Sequence, residues 1–189
     1  MKPAKHKIWI DAGIKQFSNS GKVEINKLCK EVGLTKPSFY HVYPNWPNSR
    51  GIDRFLLDLF KELDNRLERM ELKMDAHFNL SSIPDSLDKL LKIIEKNFVE
   101  FRCLAQLSVN FEHYESKELF HKHHDFLCKL KHKLFLNFYR KMSEETAYLL
   151  CSSILISGYL IAANNTDKRL WREHVLSVNK QLYQITNIS

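Results

Sequence analysis

Residues 24–43, EINKLCKEVGLTKPSFYHVY, hold the side chains whose types and spacing best suit chemistry. Lys36, Ser38, Tyr40 and His41 are the kinds of residue that hydrogen-bond phosphates and base edges. To act together they need one rigid element. Ile25, Leu28, Cys29 and Val32 fall at i, i+3, i+4 and i+7, one face of a short helix. Gly33 follows at once, and glycine takes the positive φ that ends a helix. Thr35 is placed to cap the next helix through its hydroxyl. Pro37 falls in that helix's first turn, where its missing N–H costs nothing. The pattern predicts two short helices across a tight turn, the helix-turn-helix arrangement whose second helix enters a DNA major groove.

Histidine supplies a second candidate chemistry. Of nine histidines, His113, His121, His123, His124 and His132 cluster, with Cys128 among them. His121, His124, Cys128 and His132 follow i, i+3, i+7 and i+11, so a helix would align them in one stripe. Imidazole and thiolate ligate Zn²⁺ or Cu²⁺, but a straight stripe cannot converge on one ion. A metal site would need a ligand from another element, such as His113 or Cys103. The plainer reading is a polar face beside an apolar one formed by Phe120, Leu127, Leu130, Leu134 and Phe138. His123 lies on that apolar face, either as a core histidine or as a polar anchor in a ligand pocket.

Charge is uneven along the chain. Ten Lys and Arg residues and four acids (Asp11, Glu24, Glu31, Asp53) lie in residues 1–54. Of the totals of 29 basic and 22 acidic groups, 19 and 18 remain for residues 55–189. A basic head on a near-neutral body is the electrostatic footprint of a polyanion-binding module. The 189 residues suffice for a sizeable core, and 44% hydrophobic with 12% aromatic content excludes a disordered chain. Five Gly, five Pro and few alternating apolar runs point to an all-α fold. Cys29, Cys103, Cys128 and Cys151 are scattered and form no CxxC pair. A disulfide scaffold or zinc finger is therefore not expected. With no secretion signal in MKPAKHKIWI, the expected setting is cytoplasmic.

Residues 147–163, AYLLCSSILISGYLIAA, are apolar nearly all round. They are at the short limit for crossing a bilayer and are interrupted by Ser152, Ser153, Ser157 and Gly158, so a buried bundle helix is expected. No Gly-rich phosphate loop, GxSxG or HExxH occurs, and Glu118 with His121 gives a single ExxH without a second copy. An enzyme is not expected, and no cofactor is implied.

The elements follow from spacing. Helix one covers about residues 4–19, with Ile8, Ala12 and Phe17 facing inward, Trp9 as an alternative, and Gly21 ending it. Residues 43–49, YPNWPNS, form a turn. A long helix opens at Ser49 and reaches about residue 74, carrying Ile52, Phe55, Leu56, Leu59, Phe60, Leu63 and Leu67 at helical spacing. Residues 79–84 read as a linker. Further helices are expected near 85–98, 99–112, 117–141, 144–164 and 168–186. The implied organisation is a DNA-binding head at 1–48, a connecting helix at 49–78 and a helical ligand-binding and dimerisation bundle at 79–189.

Residues 8–21 (IWIDAGIKQFSNSG) followed by 25–43 resemble the DNA-binding domain of TetR/AcrR-type bacterial transcriptional regulators. Phe17, Gly21, Leu28, Cys29, Val32, Gly33, Thr35, Lys36, Phe39, Tyr40 and Tyr43 carry the resemblance, which covers about the first quarter of the chain. It implies a homodimer whose third helices occupy adjacent major grooves of a pseudo-palindromic double-stranded operator. It also implies a repressor released by a small-molecule effector. By that analogy Thr35, Lys36, Pro37 and Ser38 open the reading helix, Tyr40 and His41 meet phosphates, and Arg50 grips the backbone. Candidate effector-binding residues are His123, His113 and Phe111. The metal-responsive alternative uses His113, His121, His124, Cys128 and His132. The last two helices are expected to form the dimer interface through Ser157, Gly158, Leu170, Trp171 and Leu182. The chain departs from the family in a short 21–25 loop without a Ser/Thr cap, an apparent insertion at 45–48, and Pro37 in place of the usual glycine.

Overall fold

The computed structural model describes residues 3–77, 91–109, 143–145, 148, 152, 158, 161–164 and 167–186. The fold is all-α. The described helices are α1 (Pro3–Ser20), α2 (Ile25–Val32), α3 (Lys36–Val42), α4 (Gly51–His77), α5 (Phe98–Val109) and α6 (Lys168–Thr186). A helical stretch at 91–96 leads into α5, and residues 161–164 are helical.

α1 is the central element. It buries Trp9, Ile10, Ile14 and Phe17. Ile8, expected inside, is 48% exposed, and Trp9 is buried in its place. The reason is that α1 is covered on more than one side. Trp9 meets Phe39 of α3 edge-on at 5.4 Å, Phe17 meets Phe60 of α4 at 5.5 Å, and the Ile14 carbonyl accepts from Cys103 of α5. Gly13 lets α4 come close, since a Cβ there would stand 2.6 Å from Leu59 and Phe55 side-chain carbons.

Gly21 ends α1 at φ 66°, and its N–H bonds the Phe17 carbonyl at 2.7 Å. α2 has no cap of its own at Glu24. Gln16 reaches across from α1, and its side-chain oxygen accepts the Glu24 N–H at 2.7 Å. α4 begins at Gly51 rather than Ser49 and runs to His77 rather than residue 74. At 1.5 Å per residue its 27 residues span about 40 Å. Its inward stripe is Phe55, Leu59, Leu63, Leu67 and Met70, each at most 1% exposed. The turn before α5 falls at Asn97, whose side-chain amide donates to the Ile93 carbonyl at 2.7 Å and competes with the helical ladder.

α6 packs on the 91–109 run. Trp171, expected at a dimer interface, is 1% exposed and lies inside the chain. Its ring meets Phe98 and Phe101, and its indole N–H donates to the Gly158 carbonyl at 2.9 Å. An indole buried with its N–H satisfied is a core anchor. Leu170 and Leu176 remain exposed on α6. The expected linker at 79–84 and the expected helix at 117–141 lie outside the described residues. Among the described residues, no helix is long and apolar enough to cross a membrane.

Candidate nucleic-acid interface

α3 has only seven residues, with one buried side chain, Phe39, and with Tyr40 and Val42 packed partly against the core. Phe39 is fully buried, with ring centroids of Trp9, Tyr40, Tyr43 and Phe55 at 5.3–5.4 Å. Tyr43 is buried beside it and packs edge-on against Phe55 at 5.2 Å. With Phe39 and Tyr43 inward, the pairs Lys36/Tyr40 and Pro37/His41, each four residues apart, form the outer surface. Lys36, Pro37 and His41 are exposed, while Ser38 and Tyr40 are half-buried. The structure thus brings five of the expected contact residues onto one short helix.

The turn ahead of α3 is set by Gly33 at φ 71°. Its N–H and that of Leu34 both reach the Cys29 carbonyl, closing the end of α2. Thr35 occupies the cap position with extended backbone, but its hydroxyl makes no cap bond. It lies instead 3.1 Å from the Ser38 hydroxyl. A capping hydroxyl ordinarily serves the second or third helical N–H. Pro37 is the second residue of α3 and has no N–H, and Ser38 offers its hydroxyl as a competing partner. Expected capping by Thr35 is therefore replaced by a side-chain pair.

Arg50 immediately precedes α4 and is exposed. Its guanidinium forks onto Asp53, with Nε to one carboxylate oxygen at 3.0 Å and Nη2 to the other at 2.8 Å. The arginine hydrogen bonds hold the Asp53 carboxyl below its ordinary range. Arg50 is near the outer surface as expected, but it shares its charge with a neighbour. The inserted loop is ordered. Trp46 and Ser49 exchange two backbone hydrogen bonds at 2.9 and 3.2 Å, and the Asn45 side chain accepts the Gly51 N–H at 2.7 Å. Gly51 is needed there, because a Cβ would stand 1.9 Å from the Tyr43 carbonyl oxygen.

Sequence reasoning missed Trp46 and Arg54. Trp46 is 61% exposed, and the Arg54 guanidinium stands over its ring at 4.1 Å. Only the four-residue spacing of Arg50, just before α4, and Arg54, in its first turn, hinted that these two arginines share a face.

Comparison with models of known protein families, with curated proteins and with solved structures finds no match.

Phe111, His113, His121, His123, His124, Cys128 and His132 lie outside the described residues. Among the described residues, no group of three His, Cys, Asp or Glu side chains is placed to hold a metal ion. A cleft of about 1060 Å³ opens beside α1, α4 and α5. Asp11, Lys15, Arg66, Glu95 and Glu100 on its wall already form ion pairs within the chain. Small-molecule pockets are mostly apolar with a few polar groups, and this charged cleft differs from them.

Proposed function

We propose that this chain is a sequence-specific, dimeric DNA-binding transcriptional regulator, a repressor released by a small-molecule effector. One observation carries the reading. A short helix is fixed from behind by Phe39 and turns Lys36, Pro37 and His41 outward, with Tyr40 half-buried beside them, within the segment where positive charge is concentrated. Such a helix offers a cation and hydrogen-bonding groups to a groove, and its rigid backing fixes their register. The resemblance of residues 8–43 to TetR/AcrR-type heads supports the same reading, and symmetry of the subunit pair follows from it.

Selection of bound sites from random duplexes tests the proposal. The expected product is an inverted repeat with half-sites about one helical turn apart, or a multiple of that. On the selected site, Lys36→Ala and Ser38→Ala should change base preference, each costing about 1–3 kcal/mol where it touches a base. Tyr40→Phe should weaken all sequences alike. A selection that enriches nothing, with no salt-dependent duplex binding, refutes the proposal.

A further inference from the structure

We propose that Trp46 and Arg54 form a clamp on the DNA sugar–phosphate backbone beside the groove that α3 occupies. This rests on the reading of α3 above and adds a contact outside it. Three observations carry the inference.

The first is exposure. Trp9 and Trp171 are buried at 0% and 1%, whereas Trp46 is 61% exposed. A large aromatic ring exposed on a polar loop offers apolar area that a partner's surface would remove from water. The second is rigidity. The paired Trp46 and Ser49 backbones and the Asn45–Gly51 bond hold the loop directly after α3 and directly before α4. The loop backbone is thus set in place between α3 and α4, while the ring can turn about its own side-chain bonds. The third is an unmet need. Among the described residues no acceptor meets Arg54 Nε and Nη2, which are buried, and the Trp46 ring lies over the guanidinium. Buried donors are nearly always satisfied, and an unsatisfied guanidinium points to an absent acceptor.

A phosphate oxygen supplies what Arg54 lacks, and the deoxyribose next to it offers an apolar face to the indole. The Trp46 ring covers one face of the guanidinium in the free protein. Moving the ring onto the sugar opens the Arg54 donors to the phosphate. Arg50 lies one helical turn before Arg54 and adds charge of the same sign, though its fork to Asp53 weakens its own pull. The clamp therefore relies on Arg54 for charge and on Trp46 for contact area.

The two contributions separate experimentally. The probe is a fluorescently labelled mixed-sequence duplex a few helical turns long, titrated with the full-length protein over a salt series. Arg54→Met should lower affinity about tenfold and reduce the log–log salt slope by about 0.9, the value for one lost phosphate contact. Trp46→Ala should weaken binding several-fold and leave the slope unchanged, and Trp46→Phe should restore most of the loss. In the wild type, duplex should shield Trp46 from acrylamide, while the emission of Trp9 and Trp171 stays constant. Wild-type affinity and slope in both Arg54→Met and Trp46→Ala would reduce the stack to a loop support, leaving the α3 reading intact. A wild-type protein that binds no duplex overturns both. Helical content is checked for each variant. If Trp46→Ala does not fold, shielding of Trp46 in the wild type decides the matter.

Discussion

Arg102→Met sets a buried charge against the bonds that hold it. Arg102 is 4% exposed, and among the described residues no carboxylate pairs with it. Its Nε donates to the Ala162 carbonyl at 3.0 Å, and its Nη1 donates to the Asn19 side-chain oxygen at 2.6 Å. Both partners sit near C-terminal ends of helical segments, where partial negative charge accumulates. Burial pulls the Arg102 guanidinium below its ordinary range. Methionine keeps most of the stem's packing and removes the charge. Two charge-assisted hydrogen bonds are lost, at about 1.5–3 kcal/mol each. The exposed Asn19 amide returns to water without penalty, but Ala162 is fully buried and its carbonyl loses the Arg102 donor. Relief of the buried charge offsets several kcal/mol of this. Because the groups left behind are neutral, the net loss should fall below the roughly 3–5 kcal/mol of a broken buried ion pair. We expect about 2 kcal/mol, which for a chain this long lowers Tm by about 4–8 °C. Helical circular dichroism through thermal and denaturant unfolding measures it. An unchanged or raised Tm would show that desolvation outweighs the two helix-end contacts, and the reasoning would be wrong.

Gly51→Ala should cost more than Gly33→Ala, although only Gly33 has positive φ. A Cβ at Gly51 stands 1.9 Å from the Tyr43 carbonyl and must shift α4 by roughly 1.5 Å, so about 3 kcal/mol is expected from overpacking. At Gly33 nothing lies within 4 Å, leaving only the left-handed backbone strain of about 1–2 kcal/mol. Denaturant midpoints of the two variants compare them, and the reverse order would disprove the close approach. Burial pushes the Cys29 and Cys103 thiols up, with the Glu100 charge adding to the effect at Cys103. A raised folded value means that their stabilisation is complete below the unfolded thiol value of about 8.5 and is lost as pH rises beyond it. Both cysteines should therefore resist alkylation in the native protein at about pH 8 and react once it is denatured. Peptide mapping that finds native Cys103 alkylated would contradict its burial.

The succession from α1 to α4 was legible because its signals are local: apolar residues at helical spacing, Gly21, Gly33, and Pro37 just inside α3. The outward face of α3 was legible for the same reason. Once Phe39 and Tyr43 point inward, the helical period leaves Lys36, Pro37 and His41 outside. What failed to show depends on partners distant in sequence. Nothing near residue 8 reveals that Trp9 rather than Ile8 meets Phe39. Gln16 acts as the cap of a helix eight residues later only because the chain reverses between them. The Trp46–Arg54 stack needs the loop folded before the two residues meet. Arg50 was expected to grip the DNA backbone, but its fork to Asp53 competes with that phosphate contact.

These long-range contacts converge on α1, and this shapes how a signal would travel under the proposed function. On one side, Trp9 and Phe17 tie α1 to the rings of α3 and α4. On the other, Arg66 of α4 bonds Asp11 of α1 and Glu62 of its own helix, and reaches Glu100 of α5 at 3.4 Å. Burial works against the Arg66 charge, but the hydrogen bonds of Glu62 and Asp11, with the charges of Asp11 and Glu100, outweigh it and hold the group above its ordinary value. Arg102 of α5 binds Asn19 at the far end of α1. α1 is therefore fastened at its middle, where Arg66 links Asp11 to Glu100 of α5, and near its C-terminal end, where Arg102 holds Asn19, and it cannot slide past α5 without parting charged groups in a half-buried setting, where such separations are costly. A displacement of α5 would move α1 as a unit, and Trp9 would carry that movement to Phe39, the buried side chain of α3. Long α4 is the obvious lever in the sequence, but the packing gives α1 the more direct route from the body to α3.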